Sequence, residues 1–110
     1  MRSRSRILTT QFRLRRNELG DITAGAQPRL RPMYRLQWEE AQQAWVLLYP
    51  EGMVRLNTPA AEILKRCNGT TKVGMLVADL EQTFSATGLQ SDVDEFLSEA
   101  ARRGWIEFAD

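Results

Sequence analysis

The most regular feature of the chain is an alternation of apolar and polar residues that begins near residue 34. The segment YRLQW, residues 34–38, has the period of two that predicts a half-buried strand. The segment AWVLLY, residues 44–49, is more continuously apolar, which predicts a central strand covered on at least one face. The turn PEG at residues 50–52 leads into a short third strand at residues 53–56. We therefore expect an antiparallel meander whose third strand lies at an edge.

From residue 58 onward the apolar positions change to a helical spacing. Thr58 can cap a helix with Pro59 at the first helical position, where the missing N–H has no cost. Two breaks, NG at residues 68–69 and TG at residues 87–88, divide the following chain into three apolar stripes, which predict three helices. The stripes consist of Ala60, Ile63, Leu64 and Cys67, then Val73, Leu76, Val77, Leu80 and Phe84, and finally Val93, Phe96, Leu97 and Ala100.

The order of these elements predicts the fold class. Ser91 with Asp94 three residues later resembles a capping box at the start of the third helix. Residues 105–108 alternate again and predict a short final strand. Three strands followed by three closely connected helices are typical of an α+β, winged-helix-like domain, in which a three-stranded antiparallel sheet precedes a three-helix bundle.

The N-terminal part of the chain differs in charge from the rest. Residues 1–31 contain eight arginines against two acidic residues, whereas residues 32–110 contain seven basic against twelve acidic residues. We interpret residues 1–27 as a basic, flexible tail and residues 28–110 as one folded domain, with residues 24–28 as the linker. Closely spaced arginines also leave open an arm that binds nucleic acid through phosphates.

The composition excludes several classes of protein. The chain has 110 residues, of which 43% are hydrophobic and 26% charged, as in ordinary soluble domains. No apolar run approaches the roughly 18–20 residues that span a bilayer, and no secretory signal follows the basic N-terminus. A single cysteine fits a reducing compartment. We therefore expect a cytoplasmic protein that does not associate with membranes.

The chain contains few side chains that are suited to catalysis. It contains no histidine, so the commonest general base and the usual Cys/His zinc sites are excluded. Cys67 lies on an apolar stripe, which favours a buried, inert thiol. The third helix carries Asp92, Asp94, Glu95 and Glu99, which we interpret as a solvated acidic face. We expect neither an enzyme nor a bound metal or cofactor.

The acidic third helix also bears on nucleic-acid binding. An alternative function is a winged-helix DNA-binding protein that uses the arginine-rich N-terminus as an arm. In helix-turn-helix proteins, however, the last helix usually enters the major groove and meets phosphates. Here that helix has basic residues only at its far end, Arg102 and Arg103. The pattern therefore favours a protein or peptide ligand over nucleic acid.

A series of short motifs between residues 28 and 108 resembles the PqqD family of pyrroloquinoline quinone (PQQ) biosynthesis. No motif is specific alone, but their order and spacing together are. They are PRL at 28–30, RLQW at 35–38, VLLYPEG at 46–52, LN at 56–57, Ala61, IL at 63–64, CNG at 67–69, DV at 92–93, FL at 96–97 and RG at 103–104.

This resemblance implies a peptide chaperone without catalysis or cofactor of its own. Members of the family bind the ribosomally made precursor peptide PqqA and present it to the radical-SAM enzyme PqqE, which cross-links a Glu and a Tyr of that peptide. The fold is the prototype of precursor-peptide recognition domains. Because an exposed edge permits pairing of two copies, we expect a monomer or a weak, domain-swapped dimer.

The resemblance also implies a binding site. In this family the guest peptide adds as a strand to the third strand, and the third helix forms the opposite wall. Arg55 is either a partner for acidic peptide residues or a charged edge residue that deters aggregation, and Leu97 fits the core better than the groove. The residues implied are Met53, Val54, Arg55, Leu56 and Asn57 from the strand, with Asp94, Leu97, Ser98, Ala101 and Arg102 from the helix.

Overall fold

The computed structural model describes residues 22–109 and contains five strands and three helices. A single 3-10 turn, Glu40–Gln42, connects the second and third strands. In chain order the elements are β1 (Gln27–Leu30), β2 (Arg35–Glu39), β3 (Ala44–Tyr49), β4 (Gly52–Leu56), α1 (Thr58–Lys65), α2 (Val73–Thr83), α3 (Gln90–Arg102) and β5 (Ile106–Ala109).

The predicted meander is confirmed. Strands β2, β3 and β4 form an antiparallel sheet in that order, so β3 is central and β4 lies at an edge. Leu47 of β3 faces the helices and contributes to the core, whereas Val46 points to the other face and is also fully buried. The continuous apolar character of β3 follows from this burial on both faces.

Apolar residues of the three helices supply most of the core, which they form together with Leu47 and Leu56 of the sheet. The predicted apolar stripes are buried, with one exception. Phe84 follows Thr83, the last residue of α2, and is 37% exposed. The prediction that Phe84 continues the buried stripe is wrong: its N–H still donates to the Leu80 carbonyl at 2.9 Å, but at the C-cap of α2 its side chain is exposed.

A second, two-stranded sheet pairs β1 with β5 in antiparallel fashion. Residues 24–28 are therefore not a linker: Pro28 is buried within β1, and the carbonyls of Ala24 and Ala26 accept hydrogen bonds from Gly74 and Val73 at 2.9 Å. The sequence QPRL lacks a recognisable alternation, so only its partners reveal the strand. Of the tail predicted over residues 1–27, residues 1–21 lie outside the described residues, whereas residues 24–27 are hydrogen-bonded to or paired with the folded domain.

Two predicted helix starts differ in detail. Asn57, not Thr58, caps α1, since its Oδ1 accepts a hydrogen bond from the Ala60 N–H at 2.8 Å. The capping box of Ser91 and Asp94 is wrong, because α3 begins at Gln90 with Leu89 at the N-cap, two residues earlier than a cap at Ser91 requires, and Gln90 Nε2 donates to Asp94 Oδ1 at 3.0 Å. Within residues 22–109 no helix has the length and apolarity that crossing a membrane requires.

Candidate functional site: the β4 edge and helix α3

The main-chain groups of β4 alternate between its partner strand and the open edge. A two-residue loop, Pro50-Glu51, joins β3 to β4. Tyr49 and Gly52, on either side of this loop, form the closing pair of the hairpin. The closing pair of such a hairpin is hydrogen-bonded, and bonded and non-bonded pairs then alternate along the ladder. The N–H and C=O groups of Met53 and Arg55 therefore point away from β3.

The side chains of β4 alternate as well. Met53 is 49% exposed and Arg55 is also exposed, whereas Val54 and Leu56 contact the core. Arg55 forms no ion pair within residues 22–109. The residues whose main chain points outward thus also expose their side chains, so a guest strand meets both together.

Asn57 limits the length of this edge. Its side chain caps α1, and Thr58 already belongs to the helix. The chain therefore turns from strand to helix directly after Leu56. Although Asn57 is exposed, the structure gives its side chain a capping role that the family resemblance did not imply.

The predicted residues of α3 fall into two groups. Leu97 is fully buried and Asp94 is 5% exposed, so both lie inside the domain. Ser98 and Ala101 are partly exposed, and Arg102 is exposed. The last three are the members of the predicted set that α3 presents to solvent.

The acidic face predicted for α3 is largely buried. Asp92 is 3% exposed and Glu99 is 1% exposed, like Asp94 before them, which contradicts the prediction of a solvated face. Glu99 accepts hydrogen bonds from Arg102 and Arg103. The spacing E-x-x-R-R at residues 99–103 is the sequence signal for this pairing, because residues three and four apart are neighbours on a helix.

A depression of about 540 Å³ lies at the C-terminal end of β4. Trp38 and Trp45 contribute its aromatic part, with their ring centroids 5.8 Å apart, and Lys65 Nζ lies 4.6 Å from the Trp45 ring centre. The lining residues are Trp38, Gln43, Ala44, Trp45, Arg55, Leu56, Asn57 and Thr58. Helix α3 does not line this depression, which adjoins the β4 edge from the α1 side.

The chemistry expected of Cys67 is confirmed. The thiol is buried, donates to the carbonyl oxygen of Ile63 at 3.3 Å, and burial raises its pKa to about 12. Such a thiol is protonated and inert near neutral pH. In the described part of the chain, no group of three or more His, Cys, Asp or Glu residues could hold a metal ion.

Comparison with known proteins shows which family has this architecture. Residues 44–106 match the family described as "Coenzyme PQQ synthesis protein D (PqqD)". A "PqqA binding protein" of Methylococcus capsulatus is 49% identical over 77 residues, covering 70% of this chain and 83% of the relative. A protein of the same name from Stutzerimonas stutzeri is 46% identical over 90 residues, covering 81% and 98%.

A solved structure agrees with these relatives. The solution NMR structure of the PqqD truncation of Methylobacterium extorquens PqqCD is similar with a TM-score of 0.63 and 30% identity, covering 73% of this chain and 87% of that one. It is described as a functional, stand-alone recognition element for ribosomally synthesised and post-translationally modified peptides. The α+β fold matches, whereas the winged-helix label stays a prediction. These findings confirm the expectation of a non-catalytic protein, and the chain belongs to the PqqD family.

Proposed function

We propose that this protein binds a PqqA precursor peptide by adding it as a further strand to β4. The single observation that carries this proposal is the outward orientation of the main-chain groups of Met53 and Arg55. Strand addition takes affinity from such main-chain groups and specificity from alternate side chains. The names of the relatives, which are PqqA binding proteins, support the choice of guest.

In this proposal the strand and the helix have different tasks. Met53, Val54 and Arg55 supply the pairing edge, with Leu56 at its end. Ser98, Ala101 and Arg102 of α3 supply the exposed wall that the family resemblance implies. Buried Asp94 and Leu97 shape that wall from within rather than touching the peptide, and Asn57 fixes the end of the edge by capping α1.

We further propose that the protein presents its guest to the radical-SAM enzyme PqqE in the cytoplasm. In this proposal PqqE carries out the cross-linking of the peptide, and this protein supplies the peptide in bound form. Presentation can be tested directly by measuring cross-linking of PqqA by PqqE with and without this protein. An unchanged yield would contradict it.

The binding proposal is tested by NMR. A PqqA peptide is titrated into the ¹⁵N-labelled full chain, with a scrambled peptide as control. We expect the largest amide shifts at residues 53–57 and around residues 98–102. No binding at about 100 μM, or shifts confined to β1 and β5, would overturn the proposal. A duplex DNA titration at two salt concentrations tests the DNA-binding alternative, because phosphate contacts weaken steeply with salt.

The open edge also bears on association. Without a guest, two copies can pair through β4 or exchange elements. We propose a monomer with weak dimerisation that the peptide suppresses. Sedimentation at several protein concentrations, with and without peptide, would reveal this competition.

A further inference from the structure

Helix α3 carries a buried carboxylate that holds two arginines. Glu99 is 1% exposed. Its Oε1 accepts hydrogen bonds from Arg102 Nε at 3.2 Å and Nη2 at 3.1 Å, and its Oε2 accepts from the same Nη2 at 3.1 Å and from Arg103 Nε at 2.6 Å. Because a buried carboxylate is costly unless it is paired, Glu99 and its two partners form one unit.

The two arginines of this unit have different surroundings. Arg103 lies over the Trp105 ring, 5.6 Å from its centre. Arg102 has a side chain that is 54% exposed, and its hydrogen bonds run from Nε and Nη2 to Glu99. A guanidinium has five N–H donors in a planar fork. Nη1 of Arg102 donates no hydrogen bond within residues 22–109, and the exposure of the side chain leaves its N–H groups available to a ligand.

The Nη1 donors of Arg102 suit a second carboxylate. Hydrogen bonds from a charged arginine to a carboxylate are stronger than those between neutral groups. An arginine already held in place also loses less side-chain entropy when a ligand binds, since the ordering has occurred in the free protein. The formal charge of Glu99, Arg102 and Arg103 together is positive, which favours an anionic ligand.

We propose that Glu99 is a positioning residue, which holds Arg102 so that the guanidinium binds an acidic side chain of the guest peptide. This inference rests on the proposed function, because it takes the peptide to lie against α3. It adds a specificity determinant: one acidic residue of the guest is recognised by Arg102, and the recognition depends on a residue that does not touch the guest.

The chain contains a matched arrangement elsewhere. On α1, Glu62 pairs with Lys65 and Arg66 at the same spacings of three and four residues. The Arg66 side chain is only 19% exposed, and it also binds Asp79 and Thr83 of α2. This second cluster connects two helices rather than facing solvent, so Glu62→Gln is a suitable control for Glu99→Gln.

The test compares two peptides, a PqqA peptide and a version with every Asp and Glu replaced by Asn and Gln. Affinities are measured by calorimetry for the full-length protein and three variants, Glu99→Gln, Arg102→Lys and Glu62→Gln. The unaltered protein should prefer the acidic peptide by about tenfold. Glu99→Gln and Arg102→Lys should remove most of that preference, whereas Glu62→Gln should retain it.

The outcomes separate this inference from the proposed function. If the unaltered protein binds neither peptide, the proposed function itself fails. If it binds both peptides equally, or if Glu99→Gln keeps the full preference, Glu99 does not position Arg102 and only the inference fails. Arg102→Lys alters an exposed side chain and keeps its charge, so it remains informative even if Glu99→Gln does not fold.

Discussion

Met53 lies directly opposite Leu48 in the β3–β4 ladder, at a pair that exchanges no main-chain hydrogen bonds. Its N–H is therefore free to bind a guest strand, and proline at this position removes that donor from the open edge. We expect Met53→Pro to weaken binding of a PqqA peptide about tenfold by calorimetry, since one hydrogen bond is lost and the ring hinders approach.

Two variants control this experiment. Met53→Ala removes the same side chain but keeps the N–H, and it should bind more tightly than Met53→Pro. Val54→Pro removes an N–H that pairs with Leu47 inside the sheet. That change should lower the free energy of unfolding by about 1–3 kcal/mol. Equal affinities of Met53→Pro and Met53→Ala would count against strand addition at this edge.

The cap of α1 gives a second prediction. Asn57→Ala removes the acceptor for the Ala60 N–H and should lower the free energy of unfolding by about 1 kcal/mol. Asn57→Asp keeps an acceptor at the same place, so its free energy of unfolding should fall little. Urea denaturation of the three proteins measures the difference. If Asn57→Ala is as stable as Asn57→Asp, the cap contributes nothing to stability.

The ion pairs of Glu62 predict a dependence on pH. Hydrogen bonds from Arg66, and then from Lys65, hold the pKa of the Glu62 carboxyl below its usual value of 4.5. A lowered pKa means that the unfolded chain binds the proton more readily, so this stabilisation is complete above pH 4.5 and is lost as the pH falls through the lower, folded pKa.

Glu62→Gln isolates this effect. At pH 7 the variant should be less stable than the unaltered protein by about 1 kcal/mol, and the gap should close in acid. Thermal unfolding from pH 7 to pH 3 checks the expectation. A constant gap at all pH values would show that the loss comes from packing rather than from the charge.

Cys67 predicts resistance to thiol reagents. Burial raises its pKa from 9.0 to about 12, so the thiolate fraction at pH 8 is about a thousandfold lower than in the unfolded chain. Labelling should be slow for the folded protein and fast in urea. Because the folded state holds the proton more tightly, the free energy of unfolding should also fall as the pH rises from 9.0 toward 12. Rapid labelling of the folded protein would contradict this burial.

The sheet and the helices were predictable because their periodicities are local. The alternation of residues 34–38 and the stripe of Ala60, Ile63 and Leu64 needed no partner to be recognised. Strand β1 is not predictable in this way, because Pro28 and its neighbours pair with β5, which lies at the other end of the sequence. Pairing at that separation leaves no trace in a local window.

The binding site was predictable only in outline. The position of β4 at the edge of the sheet follows from the order of the strands. Which of its N–H groups point outward depends on the closing pair of the β3–β4 hairpin. The burial of Glu99 could not be foreseen from its charge, because it depends on how helix α3 packs in the domain, although the arginines that pair with it lie only three and four residues later. Sequence patterns identify which elements meet, whereas the atoms that touch at their contact are known only from the structure.

The short β4 edge limits the residence time of a bound guest peptide. Two outward-facing residues, Met53 and Arg55, offer four main-chain groups in all, and each hydrogen bond contributes about 0.5–1.5 kcal/mol net. Part of that sum is spent on ordering the guest. Main-chain pairing alone would therefore give a brief residence time, which suits a carrier that must release its cargo to an enzyme. Residues that recognise individual side chains, such as Arg102, would then decide which peptide is carried.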